Sequence, residues 1–100
     1  MRVGDLRFAW DARKAARNLR KHGVSFEEAR TAFTDEGALV LPDPAHSGDE
    51  ERFVLLGLSE RLRLLVVVHT LRENGDTLRL VSARKATSRE RRQYLDRLKP

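Results

Sequence analysis

Apolar side chains recur at helical spacing near the start of the chain. From Ala12 to Leu19 they lie three and four residues apart, directly after Asp11, which is a favourable N-cap. Gly23 suits the left-handed position that follows many helices, and the three basic residues before it suit the negative end of the helix dipole. This pattern predicts a helix from about Ala12 to His22.

A second helix is predicted directly afterwards. Ser25 and Glu28 have the spacing of a capping box, in which each residue caps the other, and apolar residues follow at helical intervals. We expect this helix to end near Thr34. A short strand from Ala38 to Leu41 and a loop rich in proline, glycine and aspartate come next.

Three strands are predicted in the second half of the chain. The segments RFVLLGL and RLRLLVVVHTLR are separated by the short connection SER, which indicates a hairpin, and an Asn-Gly pair indicates another hairpin before TLRLVSAR. The middle segment is apolar on both faces, which is typical of a central strand. In the last segment, strict alternation predicts one face with Leu78, Leu80, Ser82 and Arg84 and the other with Thr77, Arg79, Val81 and Ala83.

A third helix is predicted to close the chain. Thr87 and Glu90 form a second capping-box sequence, and Tyr94 and Leu98 can dock the helix on the sheet. The order of elements predicts one α+β domain over residues 1–100, with a small antiparallel sheet, two N-terminal helices and one C-terminal helix.

The composition fits a cytoplasmic protein. Cysteine is absent, no apolar segment near the start indicates a signal peptide, and the run from Leu64 to Val68 is far too short to cross a bilayer. We therefore expect no membrane partner. The spacing of His22, His46 and His69 matches no metal-binding pattern, so neither a metal nor another cofactor is predicted.

Positive charge is concentrated at the carboxyl end. The formal net charge is +5, and residues 82–99 alone carry seven basic and two acidic side chains. The second predicted hairpin brings the region of Arg72 and His69 close to that of Arg79 and Arg84. Guanidinium groups present a planar fork of donors with a permanent charge, which fits phosphate oxygens. The cluster therefore predicts binding to the phosphate backbone of a nucleic acid.

The same residues suit a ribonuclease that needs no metal. In that reaction the 2′-hydroxyl attacks the neighbouring phosphate, a base takes its proton, an acid protonates the leaving oxygen, and cations stabilise the phosphorane. His69 is the candidate base, because an imidazole titrates near neutrality. Tyr94 is a candidate to orient or stack a nucleobase, and Glu90 is a candidate second carboxylate as well as a cap. The candidate RNA-binding residues are Arg79, Arg91, Arg92, Arg13 and Arg17.

Three segments resemble the BrnT-type toxins. FAWDARKAARNLRKHGVSFEEARTAF is similar to their N-terminal signature, HSGDEERFVLLGLS to their central segment and LRLVSARKATSRERRQY to their closing segment. The likeness runs from Phe8 to Tyr94 in the same order, and three segments in order are more specific than any one alone.

This resemblance implies a RelE-like fold and an endoribonuclease that cleaves mRNA and inhibits translation as the toxin of a type II toxin–antitoxin module. It implies a BrnA-like antitoxin with a ribbon-helix-helix part, in a complex of two toxins and two antitoxins that contacts operator DNA only through the antitoxin. By matching positions, the resemblance marks as catalytic Arg84 and Lys85 in SARKA, Arg72 after the central strand, and Glu90 and Tyr94 in RERRQY.

Two other interpretations remain open on the residues alone. A basic surface also describes a non-catalytic nucleic-acid-binding module, or an interaction protein that receives an acidic partner. Chelator-resistant RNA cleavage favours the enzyme, and salt-dependent binding without cleavage favours the binding module. Tight binding to one acidic protein alone favours the interaction protein.

Overall fold

The computed structural model describes residues 7–43, 51–71 and 75–99. Its elements are β1 (Arg7–Ala9), α1 (Ala12–His22), α2 (Phe26–Thr31) continued by a 3-10 turn (Ala32–Thr34), β2 (Leu39–Pro42), β3 (Arg52–Leu58), β4 (Leu64–Leu71), β5 (Thr77–Lys85) and α3 (Ser88–Arg97). The predicted α+β class and its three helices are confirmed. Among the described residues, no helix has the length and apolar character needed to cross a membrane.

The five strands form one mixed sheet in the order β1-β5-β4-β3-β2. Strands β2 to β5 pair antiparallel with their neighbours, and β4 is central as predicted. The prediction of a purely antiparallel sheet is wrong, because β1 pairs parallel to β5. All the other elements except α3 lie between these two strands in sequence, and so long a connection can bring the chain back in the same direction.

The predicted helix ends are confirmed for α1 and α3. The carboxylate of Asp11 accepts hydrogen bonds from the backbone N–H groups of Arg13 and Lys14, and Gly23 has φ of 70°. At α3, the Thr87 side chain caps the Glu90 backbone while the Glu90 side chain caps the Thr87 backbone. Both helices therefore begin where local side-chain chemistry satisfies their first free N–H groups.

The predicted capping box of α2 is only half formed. Ser25 Oγ accepts from Glu28 N at 3.0 Å, but the Glu28 carboxylate turns inward to the β3–β4 connection. There it accepts from Ser59 Oγ at 2.7 Å and from Arg63 through both Nε and Nη2. The Arg63 hydrogen bond lowers the pKa of Glu28 despite the opposing effect of burial. Glu28 therefore anchors α2 to the sheet, a stronger use of a buried carboxylate than a cap.

The larger part of the core lies between the sheet and the two N-terminal helices, on what we call the α1–α2 face. Its buried residues from the sheet are Leu55, Leu65, Val67, Leu80 and Ala83, and those from the helical layer are Val24, Phe26, Ala29 and Ala32. Their burial removes this face of the sheet from solvent, so any site for a large ligand lies elsewhere on the sheet.

Asn18 fixes α1 onto β5. Its side-chain amide donates to Ala83 O at 2.8 Å and to Val24 O at 2.9 Å, and its carbonyl accepts from Ala83 N at 3.0 Å. The residue is 7% exposed, so all three hydrogen bonds are shielded from water. The amide thus occupies both backbone groups of one β5 residue and closes the α1–α2 turn at the same time.

An irregularity in β5 resets the alternation of its side chains. Val68 is opposite Ser82 but the next β4 residue, His69, is opposite Leu80, so Val81 is an extra residue in β5. Residues after the bulge therefore change face relative to strict alternation. Leu78, Leu80 and Ala83 share the α1–α2 face, and Arg79, Ser82 and Arg84 share the opposite one, which corrects the two sets predicted from the sequence.

His69 lies on the α1–α2 face and is 4% exposed. Its ring centroid is 4.9 Å from that of Phe33 and 6.0 Å from that of Phe53, and Nδ1 hydrogen-bonds Val67 O at 3.2 Å. Burial lowers the pKa of the imidazole, and the hydrogen bond to Val67 only partly opposes that effect. His69 is therefore a neutral ring of the aromatic core. The predicted hairpin brings the two regions together, since Thr70 lies opposite Arg79, but the His69 side chain lies on the face opposite Arg79 and Arg84.

We predict that Asn18→Ala destabilises the protein by about 2–4 kcal/mol, because buried groups of Ala83 and Val24 lose their partners and each such group costs about 1–3 kcal/mol. Urea unfolding checks this. Lys21→Ala, an exposed change on the same helix, is the control and is expected to stay within about 0.5 kcal/mol of the wild type. An Asn18→Ala midpoint equal to that of the control contradicts the anchoring role.

A second prediction concerns pH. Because the pKa of His69 is lower in the folded than in the unfolded chain, the unfolded chain binds the extra proton first as pH falls below 6.5. Stability is expected to decline from pH 7 to pH 5, by at most about 1.4 kcal/mol per pH unit for this one group. Urea unfolding of His69→Phe, which keeps a ring there, should show a flatter profile. An unchanged slope refutes the assignment.

Candidate functional site

The second face of the sheet, here called the α3 face, is covered by α3 at one end. Tyr94 packs there with Leu56, Leu64 and Val66 and is 7% exposed. Its hydroxyl donates to Asp35 Oδ2 at 2.7 Å. Burial and the charge of the Asp35 carboxylate raise the pKa of Tyr94 to about 12. Tyr94 is thus a buried anchor of α3, and a nucleobase cannot stack on its ring in this conformation.

The Asp35 carboxylate ties three parts of the fold together. Besides Tyr94, it accepts from the backbone of Leu58 at 2.8 Å and of Gly37 at 2.9 Å. Burial opposes its ionisation, but these hydrogen bonds outweigh burial and lower the pKa of Asp35. A Cβ at Gly37 would lie 2.8 Å from Cδ2 at the tip of the exposed Leu98 side chain and 3.4 Å from the Tyr94 hydroxyl, so Gly37 lies directly beneath α3. The end of the sheet beneath α3 is therefore closed.

Arg84 and Glu90 form a bidentate ion pair at the start of α3. Nη1 and Nη2 of Arg84 lie 2.8 and 2.9 Å from the two carboxylate oxygens of Glu90. The hydrogen bond from Arg84 is the main reason why the pKa of Glu90 falls to about 2. The Arg84 side chain keeps 41% of its surface exposed. Its guanidinium is thus held in orientation by one carboxylate and still open to an anion.

The other end of the α3 face carries arginines from three strands. Arg79 lies opposite Thr70 on β4, and Thr70 lies opposite Arg52 on β3. Arg7 of β1 is on the same face, since it pairs with Thr77. Ion pairs between described residues involve neither Arg7, Arg52 nor Arg79. We call the set Arg7, Arg52, Arg79, Ser82 and Arg84 the basic surface.

The structure brings together only some of the predicted site residues. Arg79, Arg84 and Glu90 share the α3 face, where Arg84 has Glu90 as its partner. Lys85 is opposite Leu65, so it lies on the other face at the exposed end of β5. Arg72 and His46 lie outside the described residues.

Four predicted RNA-binding arginines lie on helices. Arg91 and Arg92 are exposed on α3, the helix that follows Arg84 in the sequence. Arg13 and Arg17 are exposed on α1, which packs against the opposite face of the sheet. Only the α3 pair therefore belongs to the side of the molecule that carries the basic surface.

Sequence reasoning missed Arg52. Its Nε is buried and has no hydrogen-bond partner among the described residues. The sequence offered one signal: an arginine begins an apolar strand, and strand alternation puts it on the same face as Val54 and Leu56. Only the pairing of β3 with β4 shows that Arg52 lies beside Thr70, and this pairing could not be read from the sequence.

The arrangement can bind and stabilise negative charge. Several permanent cations and the hydroxyl of Ser82 share one face, and Glu90 is committed to Arg84 and to the cap of α3. Such a surface binds phosphate oxygens, and its fixed donors can stabilise a phosphorane.

The fold matches a solved toxin. The crystal structure of the Brucella abortus ribonuclease toxin BrnT aligns with a TM-score of 0.64 and 24% sequence identity, over 83% of this chain and 99% of that chain. This likeness concerns the fold. No curated protein matches the sequence.

A family model gives a match in sequence. Its description is "Ribonuclease toxin, BrnT, of type II toxin-antitoxin system", and it matches residues 10–90. The match covers well over half of the chain and agrees with the resemblance found in the three sequence segments. The chain therefore belongs to the BrnT family of ribonuclease toxins of type II toxin–antitoxin systems.

Proposed function

We propose that this chain is a metal-independent endoribonuclease, one domain over residues 1–100, that cleaves mRNA in the cytoplasm and so inhibits translation. The proposal rests on family membership and on one observation: the β5 bulge aligns Arg79, Ser82 and Arg84 on a single face. In the proposal this sheet face is the one that meets RNA, because it carries these arginines.

The proposed chemistry is transesterification. The 2′-oxygen attacks the adjacent phosphorus and loses its proton to a base, while the 5′-oxygen leaves and takes up a proton, giving a 2′,3′-cyclic phosphate and a 5′-hydroxyl. The barrier lies in the charge that builds on the phosphorane oxygens. Arg84 supplies a preoriented fork for those oxygens, because Glu90 holds its plane with two hydrogen bonds.

The roles proposed for single residues follow their placement. Arg84 contacts the scissile phosphate and Glu90 positions Arg84, while its pKa of about 2 makes it a poor base near neutrality. Arg72 stays in the proposal as a phosphate ligand on the strength of the family resemblance. Lys85 stays as an accessory cation at the edge.

The two aromatic candidates take different roles. His69 packs on the face opposite Arg84, which favours a structural role over proton transfer. Tyr94 positions α3, and with it Glu90. RNA that follows the basic surface can extend along Arg91 and Arg92, whereas it reaches Arg13 and Arg17 only by passing around the sheet edge.

The proposed partner is an antitoxin of the BrnA type with a ribbon-helix-helix part, in a complex of two toxins and two antitoxins. Membership of a type II family implies an antitoxin. In the proposal the antitoxin covers the basic surface and alone contacts operator DNA. An acidic antitoxin segment would find there the same unpaired arginines as the RNA.

The test of the proposed function is cleavage of RNA by the purified chain in EDTA. We expect cleavage to continue in the chelator and the 5′ fragment to end in a cyclic phosphate. An all-deoxy oligonucleotide of the same sequence should remain intact, since it lacks the attacking hydroxyl. Loss of all cleavage in EDTA contradicts metal independence, and cleavage of the deoxy strand contradicts the proposed chemistry.

A third prediction uses neighbouring residues on opposite faces. Arg84→Ala is expected to lower the cleavage rate constant by at least about 100-fold, the scale found when a donor to a developing oxyanion is removed. Lys85→Ala is the matched control, because it removes one charge at the next position without touching the α3 face. Single-turnover kinetics, with melting temperatures to confirm folding, decides between them. Equal losses in the two variants contradict the assignment.

A further inference from the structure

We propose that Arg52, Thr70 and Arg79 form a second phosphate-binding subsite for the RNA backbone, separate from the scissile phosphate at Arg84. The inference extends the proposed function, because it concerns the same ligand class on the same face of the sheet. Arg52 and Thr70 were not among the residues selected from the sequence.

The register places the three residues in one row. Arg52 and Arg79 are the β3 and β5 partners of Thr70, so their side chains leave the same face on either side of it. Neighbouring strands are about 4.8 Å apart, so the two arginine Cα atoms are separated by about 10 Å. The two guanidinium groups carry like charges and repel each other, so they can converge only on an anion that lies between them.

The electrostatics of the row call for an anion. Neither arginine is in an ion pair with a described residue, and the buried Nε of Arg52 donates to none of them. A buried donor without an acceptor is unfavourable, and a pair of like charges adds to this cost. Thr70 is only 5% exposed and adds a hydroxyl at the floor of the row. A phosphodiester oxygen would satisfy Nε and separate the two charges.

The row is also distinct from the Arg84 site. Val66 lies opposite Arg84, and Thr70 follows it four residues later on β4, which corresponds to about 13 Å along the strand. Arg84 has a carboxylate partner that fixes its plane, whereas Arg52 and Arg79 have none among the described residues. Fixed orientation suits the reacting phosphate, and unpaired charge suits binding of a neighbouring part of the chain.

The test measures binding without cleavage. The ligand is an RNA oligonucleotide with a single 2′-deoxy nucleotide at the cleaved position, titrated at several salt concentrations. For Arg52→Gln we expect about tenfold weaker binding and a salt slope reduced by about 0.7, the value for one phosphate contact on a single strand. Arg20→Gln, an exposed change on α1, is the matched control and should leave both the affinity and the salt slope unchanged.

A second measurement varies the RNA and compares the wild type with Arg52→Gln. A neutral methylphosphonate linkage is moved along the same oligonucleotide, one position at a time. We expect the wild type to lose affinity at one linkage away from the cleavage site, and Arg52→Gln to be insensitive to that linkage. If no such linkage exists, or if the only sensitive linkage is the scissile one, the subsite is refuted.

Other outcomes are equally decisive. If Arg52→Gln loses the cleavage rate constant but keeps its affinity, Arg52 belongs to the reaction centre and the proposal is wrong. If it binds RNA normally but no longer binds the antitoxin, the row receives an acidic protein instead. A wild-type chain that binds RNA but does not cleave it contradicts the proposed function. The salt slope and the methylphosphonate scan then still show whether the second phosphate-binding subsite exists, because both measure binding alone.

Discussion

The extra residue in β5 determines what each face of the sheet presents. Without it, Arg79 and Arg84 would lie on opposite faces, and Ala83 would lie where an arginine now binds Glu90. The bulge is held in place by what flanks it. Asn18 takes both backbone groups of Ala83 just after the bulge, and Leu80 is buried just before it. Because contacts fix the bulge on both sides, its position in β5 cannot shift by a residue. Arg79 and Arg84 therefore stay on the face opposite the apolar core.

Three carboxylates each hold parts of this fold together through a hydrogen bond or an ion pair. Glu28 binds Arg63 and Asp35 binds Tyr94, and these two pairs join elements distant in sequence, whereas Glu90 binds Arg84 across the junction of β5 and α3. Each carboxylate has a lowered pKa, so each remains an acceptor at neutral pH. The described part of the α3 face carries Arg52, Arg79 and Arg84 with the hydroxyl groups of Thr70 and Ser82, and Asp43 lies beside Arg52 at the β2 edge. The contribution it can make to phosphate chemistry is therefore mainly electrostatic, by preoriented donors.

The sequence predicted what depends on near neighbours. The ends of α1 and α3, the three long strands and the central position of β4 followed from caps and periodicity within a few residues. Features that depend on distant partners were missed. Glu28 has the spacing of a cap but prefers Arg63, which is 35 residues away. The bulge at Val81 leaves no trace in composition, because an apolar residue fits either phase. The same loss of phase hid that Arg79 and Arg84 share a face, and the position of Arg52 beside Thr70 followed only from the strand register.

The like charges of the basic surface have a cost that a bound anion removes. Arg7, Arg52 and Arg79 repel one another in the free chain, and the Nε of Arg52 lacks a described partner. A polyanion that binds only the folded state stabilises it by mass action, so relief of that repulsion is part of the binding free energy. RNA and an acidic antitoxin segment would gain the same relief at the same groups. In the proposed complex the two ligands compete for these groups, so the antitoxin would inhibit the toxin by neutralising these charges, without distorting its fold.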